Sequence, residues 1–154
     1  MTSEAELAYF AGFFDGEGCV GINPVSKAGG VSRYYCLYAT ARQIDTTPLQ
    51  MLKEAFGGCI QGPHNASATK RGTYSWRVQA AQAEQFLVAV LPYLVVKRAQ
   101  AELALEFRRT FHRGEILPKG STHAGNPARR HAVMERREMC YREMRALNRR
   151  GPRP

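Results

Sequence analysis

The sequence has no long hydrophobic run. The apolar stretch from Leu7 to Phe14 is far shorter than the roughly 20 residues a membrane-spanning helix needs, so no membrane partner is expected. No basic segment precedes it and no cleavage-like site follows it, so no signal peptide is expected and an intracellular protein is. Closely spaced metal ligands are also missing. The cysteines (Cys19, Cys36, Cys59, Cys140) form no C-x-x-C pair and the histidines (His64, His112, His123, His131) are equally dispersed. That excludes a structural zinc site and reads as free thiols. There is no internal repeat, and no small-molecule cofactor is expected.

Acidic charge is scarce in one half only. Residues 1–76 carry 6 Lys/Arg against 6 Asp/Glu, whereas residues 107–154 carry 13 against 4, which accounts for the whole net charge of +9. Such a segment attracts polyanions, nucleic acid first among them. A solvated, charge-rich helix would have the same composition. At 154 residues, 44% of them apolar, the chain suffices for one domain with a core of its own.

What is present reads as alternating helices and hairpins. Residues 4–15 form a helix that is apolar almost all round, and Ala8, Gly12 and Gly16 line one face with small groups. Small residues permit close approach of a second helix, or of the protein's own sheet. Residues 19–25 alternate, with Val20 and Ile22 on one face and Gly21 and Asn23 on the other. A turn at residues 27–30 leads to a second strand, residues 32–44. Its Tyr35, Leu37, Ala39 and Ala41 oppose a face of Tyr34, Tyr38, Thr40 and Arg42 that is too polar for a core.

Thr47, Pro48 and Gln50 predict a capped helix start, with an apolar stripe of Leu49, Leu52, Ala55 and Phe56 and a stop at Gly57-Gly58. Strands follow at residues 59–62 and 73–79. In the latter Tyr74, Trp76 and Val78 point inward and Ser75 and Arg77 outward, a phase that a one-residue bulge would reverse. Helices are expected at 83–91, ended by Pro92, and at 95–111, packing through Ala99, Leu103, Leu105 and Phe107. After a loop at 118–127, a basic helix at 128–149 docks through Val133, Met134, Met144 and Leu147. The expected class is α+β, an αββαββα core with a four-stranded antiparallel sheet and extra C-terminal helices. Residues 1–112 form that core, and residues 113–154 are a loop and basic helix packed on or extending it.

Asp15-Gly16-Glu17-Gly18 breaks a local rule. A helix C-terminus carries partial negative charge, so two carboxylates there are electrostatically misplaced. A hard divalent cation such as Mg²⁺ or Ca²⁺, held by carboxylate and carbonyl oxygens, would compensate. A solvated Asp-Gly turn is the alternative.

The segment "FAGFFDGEG" (10–18) resembles the signature of the LAGLIDADG homing endonucleases. "ARQID", "PLQMLKEAFGG", "YSWRV" and "LPYLVVKRAQAELALEF" extend the likeness in order over most of residues 7–110, while the tail matches nothing. The resemblance implies a DNA-binding sheet and a homodimer, because only one motif is present. The motif helices would meet through Ala8, Gly12 and Gly16, with Asp15 finishing the helix and supporting that interface. Glu17 and the Gly16 carbonyl would hold Mg²⁺, with Ca²⁺ expected to bind in its place. Glu17 stands where the family more often has Asp. Gln43 matches a residue that orders water, and Lys97 matches one that neutralises charge at the scissile phosphate. An arginine frequent in the helix after the second strand has no counterpart in "TTPLQMLKE".

The implied activity is double-strand cleavage of a long, near-palindromic DNA target by an intron-encoded, magnesium-dependent hydrolase. An intron-splicing maturase or a non-cleaving DNA-binding regulator is the alternative. The implied DNA contacts are Asn23, Lys27, Arg33, Tyr34, Tyr38, Thr40, Arg42, Lys70, Arg71, Ser75 and Arg77, with the basic tail on phosphates. The alanine- and arginine-rich composition favours a bacterial or phage host cytoplasm over an organelle.

Overall fold

Ser3 starts the first helix through a capping box. Its hydroxyl accepts from the Glu6 N–H, and the Glu6 carboxylate accepts from the Ser3 N–H at 2.7 Å. In the computed structural model, which describes residues 2–26, 33–112 and 127–149, this helix is α1 (Glu4–Glu17). It is followed by β1 (Gly18–Ser26), β2 (Arg33–Gln43), α2 (Thr47–Phe56), β3 (Cys59–His64), β4 (Thr73–Gln79) and α3 (Ala80–Val90). A 3-10 turn (Leu91–Tyr93), α4 (Arg98–His112) and α5 (Pro127–Leu147) complete the order. The class is α+β, with one four-stranded antiparallel sheet in the order β1-β2-β4-β3. The expected turn at 27–30 and most of the loop at 118–127 lie outside the described residues.

The sheet is two-faced because its strands alternate. Val20, Ile22, Tyr35, Leu37, Ala39, Ala41, Trp76 and Val78 are buried beneath the helices, so β4 has no phase-reversing bulge before Gln79. Phe86 of α3 sits at the centre of the core, with edge-to-face contacts to Phe14, Phe56 and Trp76 at 4.9–5.1 Å between ring centroids. The Trp76 indole N–H donates to the Gly57 carbonyl at 2.9 Å. Gly57 and Gly58 have φ of +73° and +85°, and a Cβ on Gly58 would lie 2.4 Å from the Arg77 carbonyl oxygen. Only glycine ends α2 and starts β3 this tightly.

Several packing expectations are corrected. The residue before α2 is Thr46, not Thr47, and it makes no side-chain cap; Asp45 accepts from the Thr47 N–H at 2.8 Å instead. Ala55 is exposed, because the buried stripe of α2 is only Leu49 and Leu52, flanked by Met51 and Phe56. In α4 the buried line is Ala101, Leu103, Ala104 and Phe107, which turns Ala99 to solvent. Helix α5 lies on α4 and the β1 edge, burying Cys140 and Met144, while Leu147 is exposed because the helix ends beyond the core.

The α5 seat is also polar. Tyr35 donates to Glu138, Arg136 pairs with Glu106, and the Arg137 guanidinium lies 3.7 Å from the Phe111 ring centre. Asn148 donates to the Val20 carbonyl at 2.7 Å, satisfying an acceptor on edge strand β1.

Candidate functional site

Helix α1 runs straight into β1 with no loop. It continues through Asp15-Gly16-Glu17, and Gly18, already extended, closes it by donating to the Phe14 carbonyl. The misplaced carboxylates have different fates. Asp15 turns back toward α4: its carboxylate accepts from the N–H groups of Val95 (2.8 Å), Val96 (3.1 Å) and Lys97 (2.9 Å). Lys97 caps α4, since its carbonyl takes the first bond from Ala101. Three successive N–H groups at a helix start are an anion nest, and Asp15 fills it. Partial burial alone would raise the Asp15 carboxyl, but those N–H donors, with the Lys97 charge, hold it below the usual aspartate value.

The exchange is reciprocal. The Lys97 ammonium donates to the Asp15 carbonyl, placing positive charge at an α1 C-terminus whose last turn has no basic residue of its own. Each helix end supplies the charge the other lacks. Arg98 braces the same corner by donating to the Leu94 and Pro92 carbonyls, each at 3.1 Å.

Glu17, two residues beyond Asp15, is exposed and makes no hydrogen bond or ion pair among the described residues. With the main-chain carbonyls beside it, it offers the all-oxygen donor chemistry that Mg²⁺ and Ca²⁺ take. The described residues of one chain hold no group of three His, Cys, Asp or Glu side chains that would suit a metal, so this donor set is incomplete by itself. Gln43 ends β2 half-buried, and its side-chain oxygen accepts from the neighbouring Ile44 N–H rather than joining the Asp15–Lys97 group. The α1 face of Ala8, Gly12 and Gly16 is exposed, and a Cβ added to either glycine would meet nothing within 4 Å. Tyr9, 46% exposed, flanks it.

The sheet face away from the helices carries Asn23, Tyr34, Tyr38, Thr40, Arg42, Ser75 and Arg77. None of the four strands contains an acidic residue. Among the described residues the acids sit on the helices, apart from Asp45. Thr40 donates to the Trp76 carbonyl at 2.7 Å, and Arg77 lies over the Tyr38 ring at 4.4 Å. Ser75 is the recessed member, buried and 3.2 Å from the His64 ring nitrogen. Lys70 and Arg71 are exposed on the β3–β4 connection, beside a turn closed by paired Ser67–Lys70 backbone bonds. Arg33 pairs with Ser26 at the far end of the hairpin, and Lys27 lies outside the described residues.

Sequence reasoning missed the border of this face. The end of α5 brings Tyr141, Arg145 and Asn148 beside Gly21, Asn23 and Tyr38 around a shallow depression. The Asn148–Val20 contact spans 128 residues, and no local pattern foretells it. Period-2 counting through β1 and β3 does place Cys19 and Cys59 on this face, in register with Thr40 and Arg77.

No family model matches the sequence, and no curated protein matches it. Solved structures do match. The homing endonuclease I-CvuI, in complex with the I-CreI target, superposes with TM-score 0.73 at 20% identity over 98% of this chain and 87% of that one. The archaeal intron-encoded homing endonuclease I-Vdi141I, complexed with DNA, gives 0.69 at 20% identity, covering 97% and 88%. The LAGLIDADG homing endonuclease I-GzeII, in complex with its DNA target, gives 0.61 at 16% identity, covering 85% of this chain and 43% of that one.

Proposed function

We propose, for a chain that has the fold of the LAGLIDADG homing endonucleases, that it is a site-specific double-strand DNA endonuclease. It acts as a homodimer and hydrolyses one phosphodiester per strand at a long, near-palindromic target. The carrying observation is the reciprocal clamp of α1 and α4, which sets the Lys97 ammonium at the α1 C-terminus and leaves Glu17 without a partner among the described residues, next to a sheet whose strands hold no acidic residue. Acid-free strands with outward Asn, Tyr, Thr and Arg side chains suit the major groove, where every base pair presents its own donor and acceptor pattern. I-CvuI, I-Vdi141I and I-GzeII, each in complex with DNA, support that partner.

The incomplete donor set and the open α1 face have one joint solution. A second copy packed on Ala8, Gly12 and Gly16 brings two Glu17 carboxylates together, and their mutual repulsion makes cation binding favourable. A Mg²⁺ bound there would supply Lewis-acid activation of water and charge stabilisation at the phosphate. Glu17 and the Gly16 carbonyl would hold it, Lys97 would offset charge developing on the attacked phosphate, and Gln43 would order water nearby. Asp15 takes no part in the chemistry; it fixes the helix end that carries Glu17.

The test is cleavage of a plasmid carrying the DNA junction into which the gene is inserted, by purified protein with Mg²⁺. Wild type should make a double-strand cut, and Glu17→Gln should bind the same DNA without cutting it. A Glu17→Gln protein that cuts like wild type would overturn the mechanism. Wild type that binds but never cuts would instead favour a maturase or regulator.

A further inference from the structure

Three strands of the acid-free face build one rigid device. Gly21 of β1 pairs with Tyr38 of β2, and a Cβ on Gly21 would lie 2.4 Å from the end of the Tyr38 ring. Glycine is therefore what lets that ring lie down across β1. The Arg77 guanidinium, from β4, then rests on the ring at 4.4 Å. Among the described residues this is the one arginine stacked on a ring of the sheet; the other stacked arginines lie on α4 and α5.

Its nitrogens are unequal. Nε is buried and has no hydrogen-bond partner. The two terminal nitrogens also have no partner among the described residues, but they are not buried. An arginine serving the fold would have an acceptor, and this one faces a surface whose strands contain no carboxylate. With Nε sealed, only the end-on pair of N–H groups is on offer, a flat fork that matches O6 and N7 of guanine. Arg77 is also central, on an interior strand in the cross-sheet row Cys19, Thr40, Arg77, Cys59.

We infer that Arg77 is a specificity-determining residue that reads one guanine in each half of the DNA target, held in place by Tyr38 and Gly21 as positioning residues. This rests on the DNA-endonuclease reading and deepens it. Pre-stacking removes most of the rotamer freedom that a free arginine loses on binding, which separates Arg77 from the exposed Arg42 and Arg71.

The experiment is selection of bound sequences from randomised DNA duplexes by the full chain. Wild type should enrich a two-fold motif with an invariant guanine in each half, preferred about 5- to 150-fold over other bases. Arg77→Lys, which keeps the charge, and Arg77→Ala should lose preference at that position alone. Gly21→Ala and Tyr38→Leu should weaken the same position, and Tyr38→Phe should keep it. Unchanged preference in Arg77→Lys and Arg77→Ala would overturn the inference while leaving the nuclease reading intact. So would affinity loss spread evenly over all sequences, which marks a phosphate contact. A wild type that enriches no motif would overturn both.

Discussion

Asp15 and Glu17 are two residues apart and do opposite things. Asp15 satisfies three N–H groups at the start of α4, whereas Glu17 has no partner among the described residues. This division was legible in the sequence only through the motif, because charge at a helix end does not say which acid turns inward. The partner of Asp15 was not legible: Val95 to Lys97 carry no pattern that marks them as a nest. Both Asp15 oxygens accept, and an amide nitrogen cannot, so Asp15→Asn strands an N–H donor and should destabilise the fold by about 1–2 kcal/mol at neutral pH, measured by urea unfolding. The gap should be pH-dependent. The native Asp15 carboxyl lies below its usual 3.8, so its contribution is complete above that value and drains away as pH falls through the lower native one. Asparagine has no such loss, so the two unfolding midpoints should converge in acid below about pH 4.

Among the elements, α1 departs furthest from ordinary packing. One side is pressed into the core through Phe10, Ala11 and Phe14, and the other is bare glycine and alanine in open space. A helix with no interface on that side gains nothing from glycine and pays in helix propensity. Gly12→Leu should therefore leave the melting temperature of the isolated chain unchanged or raised. It should abolish self-association in sedimentation and DNA cleavage with it, since leucine there separates the two backbones. Strand patterns were legible because a period of two leaves little choice of face. Alanines misled the helix reading: Ala55 and Ala99 fit either a core line or a solvent line, and only the neighbouring side chains decide. The start of α2 was misread by one residue for a similar reason, because Asp45, Thr46 and Thr47 all suit the role.

At the scale of the molecule, charge is sorted by face. Among the described residues the acids other than Asp45 sit on the helices, and the open sheet face and its α5 border carry Arg42, Arg77 and Arg145. DNA affinity should fall steeply with salt, and removing a phosphate-contacting cation should lower the slope of log K against log salt by about 0.9. Lys70→Ala and Arg71→Ala are the variants for that titration. Element order was legible in the sequence, whereas contacts between distant segments, such as Asn148 on β1, were not.

The clamp between α1 and α4 is itself such a contact, joining residues 80 to 82 positions apart. It closes a loop that contains the entire sheet, and loop-closure entropy favours forming the intervening hairpins first. Asp15→Asn should then speed unfolding far more than it slows refolding in stopped-flow measurements. The order has a protective side. Glu17 and Lys97 take up their arrangement only once that clamp closes, so under the proposed function an unfinished copy would carry the parts of a DNA-cutting site without the site itself.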